Sequence, residues 1–241
     1  MLDYSKPIPK EYWKKTANGG VLVEDHYGGK TLMAYLPFGF HRDKQYDIFY
    51  FKMGMGNTAK QFWSFPPYTS HFEYVIDNLI DRCIIKPCII ISIDGEREDG
   101  WLQYNALGLV KYVESKVRSF ADRDMSPANL IKTAGHRALG GWSLGSIESE
   151  EILKNTCRND YYKMFGFYDI QSGYTAKGMD KISKEPFVGC VAGSADDPKC
   201  VAFTKACAAF DTVDKAQIVP GYTHAIQFQV RYFYNAIQCF A

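Results

Sequence analysis

The segment HRALGGWSLGSIESEEILKN, residues 136–155, constrains the fold more than any other stretch of the chain. Its first part, Arg137–Trp142, is short, apolar and rich in small residues, as a strand buried on both faces is. Its second part, Leu144–Asn155, carries apolar residues at three- and four-residue spacings, the period of a helix. Between them Gly141, Trp142, Ser143, Leu144 and Gly145 fit Gly-x-Ser-x-Gly. Glycines on either side of the serine allow a turn sharper than β-carbons permit and let strand and helix come into contact. With only three fixed positions, the motif is met equally by a serine in an ordinary glycine-rich turn, so its weight depends on its surroundings.

Those surroundings repeat the same alternation. Strands are predicted over Val21–His26, Thr31–Leu36, Asp47–Met53, Cys88–Asp94, Arg137–Trp142, Met164–Tyr168 and Phe187–Ala192, with a last one at AQIV, residues 216–219. Helical periods fall at Tyr74–Asp81, Tyr104–Arg118, Leu144–Asn155, Val201–Phe210 and His224–Gln238. Gly28 and Gly29 suit a tight hairpin between the first two strands. This order predicts an α/β fold, a mostly parallel central sheet flanked by helices. A chain of 241 residues, 46% hydrophobic and 15% aromatic, is expected to form one continuous domain, with residues 1–20 as an N-terminal arm.

Charge narrows the partners. A formal net charge of +1 supplies no field for nucleic acid or an anionic membrane. Apolar runs such as Cys88–Ile91 are far shorter than the ~20 residues a membrane span requires. The first fifteen residues have lysines and prolines where a signal peptide needs an apolar core, so either the protein stays inside the cell or its signal has been removed. Seven cysteines, none in zinc-ligand spacing, are consistent either with up to three disulfides or with buried free thiols. Structural zinc is therefore not expected.

A serine hydroxyl is a weak nucleophile and needs a base, and the base needs an acid to hold its tautomer. Downstream of Ser143 the chain has one histidine, His224, after the last predicted strand and at the start of the last predicted helix. An acid is offered by Asp196 or Asp197, after the apolar run that begins at Phe187, although Asp197 beside Pro198 is equally a turn residue. The order Ser, Asp, His, each after a strand, is that of a hydrolase triad.

With these residues in place, the chain resembles the feruloyl esterases of carbohydrate esterase family one, an α/β-hydrolase group of the esterase D-like kind. The likeness runs from about Tyr27 to the C-terminus. TLMAYLPFGFHRDKQYDIFYFKMGMG resembles the family's opening strands, HRALGGWSLGS its Arg-Ala-x-x-Gly-x-Ser-Met-Gly-Gly elbow, and AGSADD its Gly-Thr-x-Asp acid turn. That last match selects Asp196. Three departures stand out: Met53-Gly54-Met55-Gly56 replaces His-Gly-x-Gly, Ser146 replaces the final glycine of the elbow, and GYTHAI replaces Gly-Gly-His-Asp around His224.

The resemblance implies an α/β-hydrolase fold and ester hydrolysis through an acyl-enzyme. Ser143 would attack, His224 shuttle the proton, Asp196 orient His224, and the amides of Met55 and Leu144 hold the oxyanion. It implies no cofactor or metal, and a hydroxycinnamoyl ester such as a feruloyl group on plant arabinoxylan as substrate. The protein is further expected to be a monomer and to be secreted, its signal peptide removed. Acetyl xylan esterase, acyltransferase and a silent binding module of the same fold are the competing expectations. Trp63, Tyr68, Trp101 and Trp142 are candidates for stacking on an aromatic acyl group. His26, His41, His71 and His136 show no ligand spacing and are expected to be structural or surface residues.

Overall fold

The computed structural model describes residues 1–64, 71–95, 100–156 and 159–241. Eight strands, β1 (Val21–Tyr27), β2 (Lys30–Leu36), β3 (Asp47–Lys52), β4 (Cys88–Ile93), β5 (Arg137–Trp142), β6 (Phe167–Gln171), β7 (Phe187–Ala195) and β8 (Lys215–Thr223), form one sheet in the order β1-β2-β4-β3-β5-β6-β7-β8. β1 and β2 pair antiparallel around the predicted turn, where Gly28 and Gly29 have φ of +55° and +80°. β2 meets β4 antiparallel, and β3 to β8 run parallel. The elbow strand β5 therefore lies inside the parallel portion, between β3 and β6.

The helices are α1 (Ala59–Trp63), α2 (Phe72–Asp81), α3 (Trp101–Lys116), α4 (Pro127–Lys132), α5 (Leu144–Leu153), α6 (Pro198–Cys207) and α7 (Ile226–Phe240). Alternation along β3 divides the core: Phe49 and Phe51 join the apolar side chains of α1, α2 and α7, whereas Ile48 and Tyr50 join those of α3, α5 and α6. Strands so covered are apolar on both faces, as β4 (CIIISI) is. The N-terminal arm packs into the first cluster through Leu2, Tyr4, Ile8 and Tyr12, and the Tyr4 hydroxyl donates to Asp169 Oδ1 at 2.7 Å.

The structure corrects several boundaries, α3 and α6 each starting three residues earlier than expected. β6 begins at Phe167 rather than Met164, because Tyr161–Met164 form a 3₁₀ turn whose buried Met164 and following Phe165 imitate a strand. β8 continues past AQIV to Thr223, and the last helix starts at Ile226, leaving His224 on the loop before it. Two short helices lacked a periodic signal: α1 is closed by a Thr58/Gln61 capping box, and α4 has Ser126 as its cap with Pro127 in the first turn. Among the described residues no helix is long and apolar enough to cross a membrane. Six cysteines there are free thiols, with Cys88, Cys190, Cys200 and Cys207 buried.

Candidate active site

Ligand-facing loops of a parallel sheet lie beyond the carboxyl ends of its strands. The loop after β3, Ser143 after β5, Ser172 after β6, Asp196 after β7 and His224 after β8 all stand there. Ser143 itself has φ 57° and ψ −117°, a combination that residues with a β-carbon avoid. Its N–H donates to the Gln171 carbonyl on β6 at 3.0 Å, and its carbonyl accepts from the amides of Ser146 and Ile147 at 3.0 and 3.1 Å as α5 begins. The flanking glycines are steric necessities. A β-carbon at 141 would stand 2.3 Å from the Gly145 carbonyl, and one at 145 would stand 2.1 Å from the Lys52 carbonyl oxygen.

The loop Met53–Gly56 lies against this turn. A β-carbon on Gly54 would stand 2.7 Å from the Trp142 ring and 3.2 Å from Ser143 Cβ. The loop is fixed by backbone bonds: Gly56 N–H donates to the Gly95 carbonyl at 2.7 Å, Gly95 N–H to the Asn57 carbonyl at 2.8 Å, and Asn57 N–H to the Gly54 carbonyl at 3.0 Å. Among the described residues, neither the Met55 amide nor the Leu144 amide has an acceptor. Two such amides, on a rigid loop and at a helix start beside the serine, are the donors a developing oxyanion needs. Met53, where the resembled family has histidine, is buried, and its sulfur accepts from Gln229 Nε2 at 3.2 Å.

His224 and Asp196 meet: Nδ1 and Oδ1 are 2.6 Å apart. The Asp197 amide donates to the same oxygen at 2.7 Å, and the Ser172 hydroxyl donates to Oδ2 at 2.6 Å. Burial raises the Asp196 carboxyl, but the hydrogen bonds from His224 and Ser172 outweigh it and hold the group below the usual carboxylate range. With Nδ1 engaged, the imidazole has Nε2 left for a second proton partner. The ring stacks on Trp142, centroids 4.8 Å apart and planes at 30°, which brings it beside the residue preceding Ser143. Asp197 has a different task, capping α6 by accepting from the Lys199 amide at 2.8 Å.

Other sequence candidates separate in the same way. Trp63 is 1% exposed, donates its indole N–H to Ser92 Oγ at 2.9 Å and stacks on Tyr35, so it is a core residue and offers no face to a ligand. Trp101 is likewise buried, with its indole N–H on the Gly28 carbonyl at 2.9 Å. Trp142 presses on His224, and Tyr68 lies outside the described residues. Ser172, Gln171 and Asn57 went unnoticed in the sequence, although Gln171 and Ser172 end a strand next to the elbow strand, where such residues belong. The donor atoms of Asp196, Cys200 and His224 lie within 4.8 Å of one another. Asp196 and His224 engage each other and burial pushes the Cys200 thiol well up, so the group is a hydrogen-bond network rather than a vacant ligand set.

No protein-family model matches the chain. Endo-1,4-beta-xylanase Y of Acetivibrio thermocellus is 25% identical over 274 residues, covering 98% of this chain and 24% of that protein, so the chain spans about a quarter of that relative's length. A mutant of the feruloyl esterase module from Clostridium thermocellum, solved with sinapinate, superposes with a TM-score of 0.82 at 22% identity, over 98% of this chain and 93% of that one. A ferulic acid esterase from Anaeromyces mucronatus, solved with ferulic acid, gives a TM-score of 0.73 at 16% identity, over 99% and 97% of the two chains. At these TM-scores the chain shares their fold, and its own mostly parallel sheet, with helices on both faces and an elbow after the fifth strand, is an α/β-hydrolase fold.

Proposed function

We propose that the chain is a serine carboxylesterase that cleaves hydroxycinnamoyl esters, with feruloylated arabinoxylan as the substrate class. Residues 1–241 are read as one esterase domain with its N-terminal arm packed into the core. The observation that carries the proposal is the His224–Asp196 contact of 2.6 Å beside a serine held at φ 57°. Ser143 Oγ attacks the ester carbonyl and His224 Nε2 takes its proton. The amides of Met55 and Leu144 receive the negative oxygen. Collapse expels the sugar hydroxyl with the proton from His224, leaving Ser143 acylated, and a water activated by His224 then releases the acid. Sinapinate and ferulic acid, bound by the two similar esterases, support an aromatic acyl group. A cell-wall polysaccharide substrate makes secretion part of this reading.

Two measurements test it. A fluorophosphonate probe should label the protein at Ser143 and leave Ser143→Ala unlabelled, and absence of labelling in the parent would point to a silent module. Turnover of methyl ferulate is expected to exceed that of acetylated xylan. The reverse preference would select the acetyl esterase, and ester exchange without free acid the acyltransferase.

A further inference from the structure

We infer that Ser172 is a positioning residue for Asp196, holding the carboxylate in the plane in which its other oxygen meets His224. The inference rests on the serine-esterase reading above. Ser172 directly follows β6, is buried, and has every polar group engaged. Its N–H donates to the Val191 carbonyl at 2.7 Å, its carbonyl accepts from the Cys200 thiol at 3.4 Å, and its hydroxyl donates to Asp196 Oδ2 at 2.6 Å. Its φ is +56°, in the left-handed region that favours glycine. A residue with a β-carbon stays there only where the surroundings over-determine it. Glycine would satisfy that backbone without strain. What it could not supply is the hydroxyl.

The hydroxyl matters because of how the carboxylate is divided. Oδ1 takes His224 and the Asp197 amide, both on one side. Oδ2 is buried with the carboxylate, and Ser172 supplies its hydrogen bond. Without that donor the carboxylate would be free to turn about its last torsion and would be costlier to keep ionised in a buried place. Ser172 thus acts on His224 through Asp196. It also joins the acid to the elbow, because the Ser146 hydroxyl lies 2.7 Å from the Ser143 carbonyl and 3.2 Å from the Ser172 carbonyl. Ser146 stands where the resembled family's elbow has glycine, so this link is written in the chain's own sequence.

The test compares Ser172→Ala with Ser172→Gly, using methyl ferulate. Both delete the hydroxyl, but glycine also relieves the positive φ and should melt at a higher temperature than alanine. The expected result is a kcat lowered ~10-fold or more in both, as for a lost hydrogen bond to a charged group, with KM little changed. The acid limb of the kcat/KM profile should move to higher pH, because Asp196 loses one of the hydrogen bonds that hold its carboxyl down. If kcat follows the melting temperature, so that glycine recovers what alanine loses, the role is structural and the inference fails. Parental kcat and an unmoved acid limb in the folded glycine variant would overturn it as well. Ser143→Ala in the same assay separates the two failures. If it retains turnover, the esterase reading itself is wrong, whereas a dead Ser143→Ala beside fully active Ser172 variants removes only the positioning role.

Discussion

Ser143 and His224 are placed by different means. The serine is set by backbone with no room to be elsewhere: a β-carbon at Gly145 would stand 2.1 Å from the Lys52 carbonyl oxygen, and the Ser143 N–H is tied to β6. The histidine follows β8 on a loop, is about a third exposed, and is held by side chains: the Asp196 carboxylate, itself held by Ser172, and the Trp142 ring. One half of the site is made by the close approach of main chain, the other by hydrogen bonds between side chains far apart in sequence. Substitutions should therefore act differently in the two halves.

The largest effect is expected in the side-chain half. Asp196→Asn keeps the shape but offers an amide where His224 needs an acceptor, and kcat for methyl ferulate should fall by ~10³-fold or more. Asp197→Asn should leave kcat within a few-fold, since asparagine caps a helix as well as aspartate does and Asp197 contacts His224 in no described hydrogen bond. The reverse ranking would move the acid by one residue and dissolve the distinction between the two aspartates.

In the backbone half, a side chain should matter less than its amide. Met55 is 56% exposed and contributes its N–H to the loop beside Ser143, so Met55→Ala should retain most turnover. Met55→Pro removes that donor and should lower kcat by ~10²-fold. Circular dichroism and a melting curve must accompany the comparison, because proline also reshapes a loop. A folded Met55→Pro variant hydrolysing at the parental rate would locate the oxyanion donor elsewhere.

This contrast also explains how much could be read beforehand. Close packing of main chain is written locally as glycine, so Gly141, Ser143 and Gly145 were legible as an elbow, and the strand order around them gave the α/β architecture. His224 and Asp196 were legible only because a mechanism was waiting for them and only one downstream histidine existed. Ser172 was not legible. A serine after a strand is common, and nothing local announces that its hydroxyl will meet a carboxylate 24 positions away. Trp63 and Trp101 misled for the complementary reason: an aromatic near a loop has the same sequence whether it faces a ligand or the core. Burial decides, and burial is a tertiary property.

The smallest expected effect concerns β6, which serves both halves: its Gln171 carbonyl holds the Ser143 amide, and Ser172 follows it. Asp169, on the same strand, is wholly buried and accepts from Tyr4 of the N-terminal arm at 2.7 Å and from Gln171 Nε2 at 2.6 Å. Burial pushes its carboxyl up to about 7, against the hydrogen bonds from Tyr4 and Gln171. An acid whose pKa is higher folded than unfolded binds its proton more tightly in the folded chain. Its contribution therefore favours the fold below the ordinary carboxylate pKa of ~3.9 and is lost as pH rises towards 7, at most about 4 kcal/mol at ~1.4 kcal/mol per pH unit. Glu150, also pushed up to about 7 by burial, adds a slope of the same sign, so the readout is a difference between variants. Asp169→Asn should melt with a shallower dependence on pH between 4 and 7 than the parent, by some degrees at about 2–4 °C per kcal/mol for a chain of this size. If its slope equals the parental one, Asp169 carries the same charge in the folded and unfolded chain. The strut shared by the two halves would then owe nothing to a buried neutral acid, and the Tyr4 hydroxyl of the arm would donate to a carboxylate instead.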